Sequence, residues 1–197
     1  MNISFSINKD FGELTDKKIE RISSSFGEQL QSTQNIENQV AIFNFNDGAA
    51  LVLNKHNNEV ASVFQYLESL TEQFERFISI LGLLDLDNIG LSQITIENVE
   101  DYDFSIAEST KEIMNLTDEA DGVGFRYLID SFTDAPKEIK IEPKIDDFNK
   151  LYISCAQGQR VEHELTKEFL EKSITYLLDK TEEYKQSFLE KGGLSGQ

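Results

Sequence analysis

A single cysteine and two histidines are all that this 197-residue sequence offers of the side chains that most often act as nucleophiles, bases and metal ligands. Because Cys155 has no second thiol to meet, an intrachain disulfide and a cysteine-based zinc site are both excluded, and nothing points to an oxidising compartment. Positive charge is equally scarce: 18 Lys and Arg stand against 36 Asp and Glu, a net charge of −18 and a pI near 4.4. Phosphate binding needs cations that release condensed counterions, so this balance argues against direct contact with DNA or RNA. Long apolar runs are missing as well. The longest, around Ile78–Leu84, falls far short of the ~20 residues a membrane helix needs, and Met1–Ile7 has neither a basic start nor a continuous apolar stretch. The expectation is a soluble, cytoplasmic chain with no membrane partner.

What is present is material for a core. Apolar residues make up 39% of the chain and include 14 Phe and 6 Tyr, which argues against disorder despite the charge. A chain of this length buries about 70% of its unfolded surface and needs no staple to fold. The expectation is one α+β domain over 1–190 followed by a flexible tail, 191–197.

Periodicity supplies the elements. Ile3, Phe5 and Ile7 alternate with polar residues as in a half-buried strand. Ile19, Ile22, Phe26 and Leu30 then keep helical spacing behind a capping Thr15 or Asp16. A polar turn is expected at Gln34–Asn38. Val40–Phe45 and Ala49–Leu53 flank Asn46-Asp47-Gly48, a hairpin signal. Val60, Val63, Phe64, Leu67, Leu70, Phe74, Phe77, Ile78 and Leu81 predict a helix of about six turns. A strand is expected over Ile89–Val99, a short helix over Ser105–Leu116 and a strand over Gly122–Ile129. Ile139, Ile141 and Ile145, then Leu151, Ile153 and Cys155, predict a second hairpin, with Pro143 at an edge or bulge. Val161 to Phe188 predicts a long closing helix. The sum is an α+β fold with a mainly antiparallel sheet, long amphipathic helices on one face, and a hairpin–helix layout that recurs at 39–81 and 137–190.

Most motif-like stretches fail on chemistry. Asp118-Glu119-Ala120-Asp121 spells a helicase metal tetrad, but no phosphate-binding Gly-x-x-x-x-Gly-Lys-Ser/Thr loop accompanies it. Asp85-Leu86-Asp87-Asn88-Ile89-Gly90 begins like a calcium loop, yet Ile89 and Ile96 occupy two ligand positions. Gly122-Val123-Gly124 lacks the third glycine of a dinucleotide fingerprint. His56 lies in a turn, and a Cys155–His163 pair reads as a buried thiol beside a half-exposed imidazole. No catalytic residue, metal site or cofactor is assigned. Arg126, inside an apolar strand, is expected to pair with a carboxylate of a neighbouring strand or, failing that, with an anionic partner.

Charge gives the sharper expectation. Between residues 97 and 121 nine carboxylates face only Lys111, a net of −8. Either this is a solvated face or a docking surface for a basic protein, formed by Glu100, Asp101, Asp103, Glu108, Glu112, Asp118, Glu119 and Asp121.

Gly124-Phe125-Arg126-Tyr127-Leu128-Ile129 resembles the Gly-Leu-Arg-Tyr-Ile-Asn strand that marks an uncharacterised, sporadically distributed family of bacterial proteins, with Ile129 in place of its Asn. The N-terminal strand, Leu51–Lys55 with the helix after it, and His163-Glu164 followed by Phe169 and Ile174-Thr175 are similar in character to that family. The resemblance implies a two-unit α+β layout and carries no activity. The function expected is non-enzymatic: binding of a basic partner protein through acidic surface, in a bacterial or phage defence or counter-defence setting. Self-association stays open as a second kind of partner. The alternatives are a small-molecule module with a sheet–helix cavity and a carboxylate-metal enzyme.

Overall fold

The computed structural model describes residues 1–87, 89–101, 124–159 and 165–193, with 191–193 described by backbone alone. The chain is α+β, with nine strands and three helices among these residues. It divides into two compact units. An N-terminal unit comprises Asn2–Ile94 with Gly158–Lys172, and a C-terminal unit comprises Met1, Thr95–Gln157 and Ser173–Gln197.

In the N-terminal unit β1 (Asn2–Asn8) leads to α1 (Asp16–Phe26), then β2 (Leu30–Ile36), β3 (Val40–Phe45), β4 (Ala50–Asn54), β5 (Glu59–Phe64) and α2 (Leu70–Leu83). The strands lie in the order β2-β3-β4-β5-β1, each pair antiparallel. Asp47-Gly48 turns the chain as expected: Gly48 N–H bonds Phe45 O at 3.1 Å with φ of 83°, a conformation that favours glycine. Thr15 caps α1, its hydroxyl accepting from Lys18 N–H at 3.3 Å.

Alternation sets the core. Ile3, Phe5 and Ile7 of β1, Ala41, Phe43 and Phe45 of β3, Leu51 and Leu53 of β4, and Val60, Ser62 and Phe64 of β5 are buried on one face. Both helices pack on that face. Phe26 of α1 meets the Phe45 ring edge-on at 5.2 Å, and Phe77 of α2 meets Phe5 at 4.9 Å.

Three expectations for this unit are corrected. Helix α1 stops at Phe26, not Leu30, because the chain leaves the helix at Gly27 and makes one tighter turn over Gly27–Gln29. The supposed polar turn at Gln34–Asn38 is mostly strand β2, and the reversal occurs at Glu37 and Asn38, both with positive φ. The expected six-turn helix from Val60 is β5 up to Phe64, and after one tighter turn over Leu67–Ser69 the α-helix begins only at Leu70. Val60, Val63 and Phe64 fit a helical stripe by chance, whereas the buried set is Val60, Ser62 and Phe64, a period of two. The layout at 39–81 is therefore a three-strand meander before its helix, with β2 as a fourth strand ahead of it.

The C-terminal unit holds most of β6 (Gln93–Asp101), then β7 (Phe125–Ile129), β8 (Lys137–Lys144), β9 (Asp147–Gly158) and the greater part of α3 (Lys167–Gly193). Its strand order is β6-β9-β8-β7. The second hairpin forms over β8 and β9, with Pro143 at a register shift between Pro143 and Lys144, but Ile145 is not part of its alternation, since β8 ends at Lys144 and Ile145 is 88% exposed. Strand β8 lies between β9 and β7 and is not an outer strand, so of the two settings expected for Pro143 the structure shows the irregular register rather than the edge. Strand β6 starts at Gln93, four residues later than expected, and continues to Asp101. Ile139, Ile141, Leu151, Ile153 and Cys155 are buried, and α3 packs on this face through Phe188 against Phe125 (5.6 Å) and Tyr184 against Tyr127 (4.4 Å). The short helix expected over Ser105–Leu116, Gly122 and Val123 of the expected strand, and Val161 of the expected closing helix lie outside the described residues.

Candidate functional site

The acidic segment enters the structure on β6. Its three described carboxylates all have partners within the C-terminal unit. Glu97 accepts from the Tyr152 hydroxyl at 2.7 Å. Glu100 accepts from Asn98 Nδ2 at 2.7 Å and from Lys185 Nζ of α3 at 3.0 Å, and Asp101 pairs with Lys150 of β9. Lys185 is largely buried and also bonds Glu182 at 2.6 Å. Burial works against its charge, yet the two carboxylates outweigh that and raise its pKa. The Lys150 ammonium likewise holds the Asp101 carboxyl below the usual aspartate value. These acids tie α3 and β9 to β6. Asp103, Glu108, Glu112, Asp118, Glu119 and Asp121 lie outside the described residues.

Beside Glu100 is a cleft of about 170 Å³ lined by Met1, Ile96, Asn98, Glu100, Ile153, Leu178, Thr181, Glu182 and Lys185, all within the C-terminal unit. Ile96, Ile153 and Leu178 make it apolar, while the Lys185 ammonium at its rim is spent on Glu100 and Glu182. Its volume is below the ~300 Å³ at which ligand pockets usually begin.

Arg126 resolves to ion pairing: its guanidinium bonds Glu138 of β8, which also takes Lys140 at 3.2 Å. Burial alone would raise the Glu138 pKa, but the hydrogen bonds from Arg126 and Lys140 bring it below the ordinary glutamate value. Gly124 permits the close start of β7, since a Cβ there would lie 2.4 Å from Glu142 Cβ. Asp85, with φ of 55°, and Asp87, whose carbonyl accepts from Lys9 at 2.6 Å, form a turn after α2. Among the described residues no group of three His, Cys, Asp or Glu is placed to hold a metal. His56 is exposed on the β4–β5 turn, and His163 lies outside the described residues.

Cys155 is buried, and burial pushes its thiol up to about 11. It is a core side chain held protonated, with no thiolate for nucleophilic work at neutral pH. In the native protein at about pH 8 it is expected to resist a thiol-specific chromogenic reagent and to react fully once unfolded in guanidinium; rapid labelling of native protein would show an accessible thiolate instead.

Two features of the N-terminal unit escape sequence reasoning. Arg76 and Gln73 of α2 are both buried, and Arg76 reaches Asp47 at 2.7 Å, with Glu72 and Gln29 as further acceptors. Gln73 donates to the same Asp47 oxygen at 3.1 Å, and the guanidinium lies over the Phe45 ring, 4.1 Å from its centroid. The one signal along the chain is a glutamine at a stripe position, three residues after Leu70 and four before Phe77.

The second feature is the sheet face turned away from α1 and α2. The register lines up Ser4, Val63, Ala50, Asn44 and Ser32 in one row, Ser6, Ala61, Val52, Ile42 and Gln34 in the next, and Asn8, Glu59, Asn54, Val40 and Ile36 in the third. Of these fifteen positions only Glu59 is charged. The aliphatic residues of β3, β4 and β5 on this face are half-buried, and Ile36 is exposed. The corresponding face of the C-terminal unit is different: it carries Arg126, Glu138, Lys140 and Glu142. The chain matches no known family model and no curated protein.

Proposed function

We propose that the protein is a non-enzymatic interaction module that binds a basic partner protein through its acidic surface. What supports this reading is the concentration of charge along the sequence. Glu97, Glu100 and Asp101 are engaged by Tyr152, Lys185 and Lys150. The rest of the segment, residues 102–121, holds six carboxylates against Lys111 alone, a net of −5. Charge of one sign concentrated in this way raises the encounter rate with a cationic partner and repels nucleic acid.

The test is capture of a basic protein from the native host with the tagged chain, compared with the triple variant Asp118→Asn, Glu119→Gln, Asp121→Asn. The wild type is expected to recover a specific basic protein that elutes by ~0.5 M salt; the triple variant is expected to recover at least ~5-fold less, about 1 kcal/mol. Asp101→Asn, whose carboxylate is occupied by Lys150, should change capture little. Equal capture by the triple variant, or capture insensitive to salt, overturns the reading.

The cleft beside Glu100 favours a second reading, a module for a ligand of very few heavy atoms. A rise in melting temperature with such a compound, abolished by Leu178→Phe, would select it.

We further read the two units as one plan used twice. In each, an opening strand (β1 or β6) pairs with the last strand of a meander (β5 or β9), and a long helix (α2 or α3) follows.

A further inference from the structure

The nearly uncharged sheet face of the N-terminal unit is out of keeping with the chain around it. Residues 2–94 carry 13 Asp and Glu against 6 Lys and Arg, a net of −7, yet fourteen of the fifteen positions on this face are neutral. Neither α1 nor α2 is packed there, since both meet the opposite face through Phe45 and Phe5. Ala50 and Ala61 leave a shallow floor beside the taller Val52, Val63 and Ile42. Contiguous half-exposed apolar surface of this kind marks an interaction site.

Size and charge choose the occupant. Five strands about 4.8 Å apart and three rows about 7 Å apart give a face of roughly 24 by 20 Å. That is about half of the ~800 Å² per partner of a standard protein interface, and a second copy would add its own −18 to this one. A single helix, ~10–12 Å across, fits the width and needs no larger area. We infer that this face receives one amphipathic helix of the basic partner, its apolar stripe on Val52, Ile42 and Ala61 and its Lys and Arg residues toward the acidic surroundings. The inference rests on the reading of a basic protein partner and adds the form in which that partner presents itself.

The probe is a synthetic helical peptide of about 18 residues with a leucine stripe and lysines elsewhere, set against a scrambled peptide of the same composition that has no stripe. Binding is measured by calorimetry with the full chain. The striped peptide is expected to bind at least ~10-fold more tightly than the scrambled one. Val52→Asp separates the forces, because it adds a negative charge while breaking the apolar floor: docking on the face predicts at least ~10-fold weaker binding, pure charge attraction predicts tighter binding. Circular dichroism and a melting curve establish that the variant is folded; Ile42→Asn replaces it if it is not.

Unchanged or tighter binding by the face variant overturns the inference. So does loss of binding in the triple acidic variant with none in Val52→Asp, an outcome that leaves the acidic-surface reading standing. Sedimentation equilibrium supplies the other arm: a dimer dissociated by Val52→Asp would give the face to a second copy and overturn the helix.

Discussion

Replacing Phe5 by alanine is expected to destabilise the protein by about 3–5 kcal/mol, the range for deleting a buried aromatic ring. Phe5 is 1% exposed on β1. Its ring meets Phe64 at 6.1 Å and Phe77 at 4.9 Å, both edge-on, so one truncation opens a cavity against β5 and against α2 at once. Close packing of these rings leaves little room for collapse, which keeps the cost toward the upper end. Since a domain is stable by only about 5–15 kcal/mol, such a loss would remove a large share of the total. Urea titration should show a lower midpoint with an unchanged slope. Phe132→Ala is the control: that ring is fully exposed, and its removal should shift the midpoint by less than ~0.5 kcal/mol. A Phe5→Ala cost below about 1 kcal/mol would mean that this ring cluster is not the core of the unit.

Arg76→Ala is expected to cost about 2 kcal/mol, less than the ~3–5 for breaking a fully buried ion pair. The reduction follows from exposure. Arg76 is nearly inaccessible, but the carboxylates of Asp47 and Glu72 are 35% and 56% exposed and can turn to water when the guanidinium is removed. What cannot turn to water is Gln73, and the Phe45 ring loses the cation stacked on it. Arg76→Met, which keeps apolar stem volume, should recover part of the loss.

The same substitution has a signature in acid. Burial alone would raise the Asp47 pKa, but the Ala49 N–H and Arg76 outweigh it and hold it below the ordinary 3.8. A carboxyl with a depressed native pKa stabilises the fold above its unfolded value, and that contribution is lost as pH falls through the native one. In Arg76→Ala the depression shrinks, so this carboxyl's contribution is smaller at neutral pH and is exhausted at a higher pH on acidification. Urea midpoints measured between about pH 2 and 5 should show a shallower acid dependence for the variant; parallel curves would exclude Asp47 as the source.

Elements with strong local signals are legible from the order of residues alone. Thr15 starts α1, Asp47-Gly48 turns the first hairpin, and Ile139, Ile141, Leu151, Ile153 and Cys155 alternate as they are buried. Strand β2 is not legible in this way, because Leu30–Ile36 is wet on both sides and has no apolar period to read. Strand β5 is ambiguous because Val60, Val63 and Phe64 satisfy a helical stripe as well as a strand, and the arbiter is its pairing with β1 and β4.

Composition and spacing thus decided the class of the protein: acidic, poor in cysteine, α+β, its strands and helices placed wherever periodicity is unambiguous. Only tertiary structure decided which of the described charges pair with one another. Asp101 finds Lys150 and Glu100 finds Lys185 across 49 and 85 residues, and an alternation shared by β3, β4 and β5 becomes one face with a single charge, Glu59, only when those strands lie side by side. Local propensity acts over a few residues of chain, whereas ion pairs and surface patches depend on distances in space that no spacing along the sequence contains.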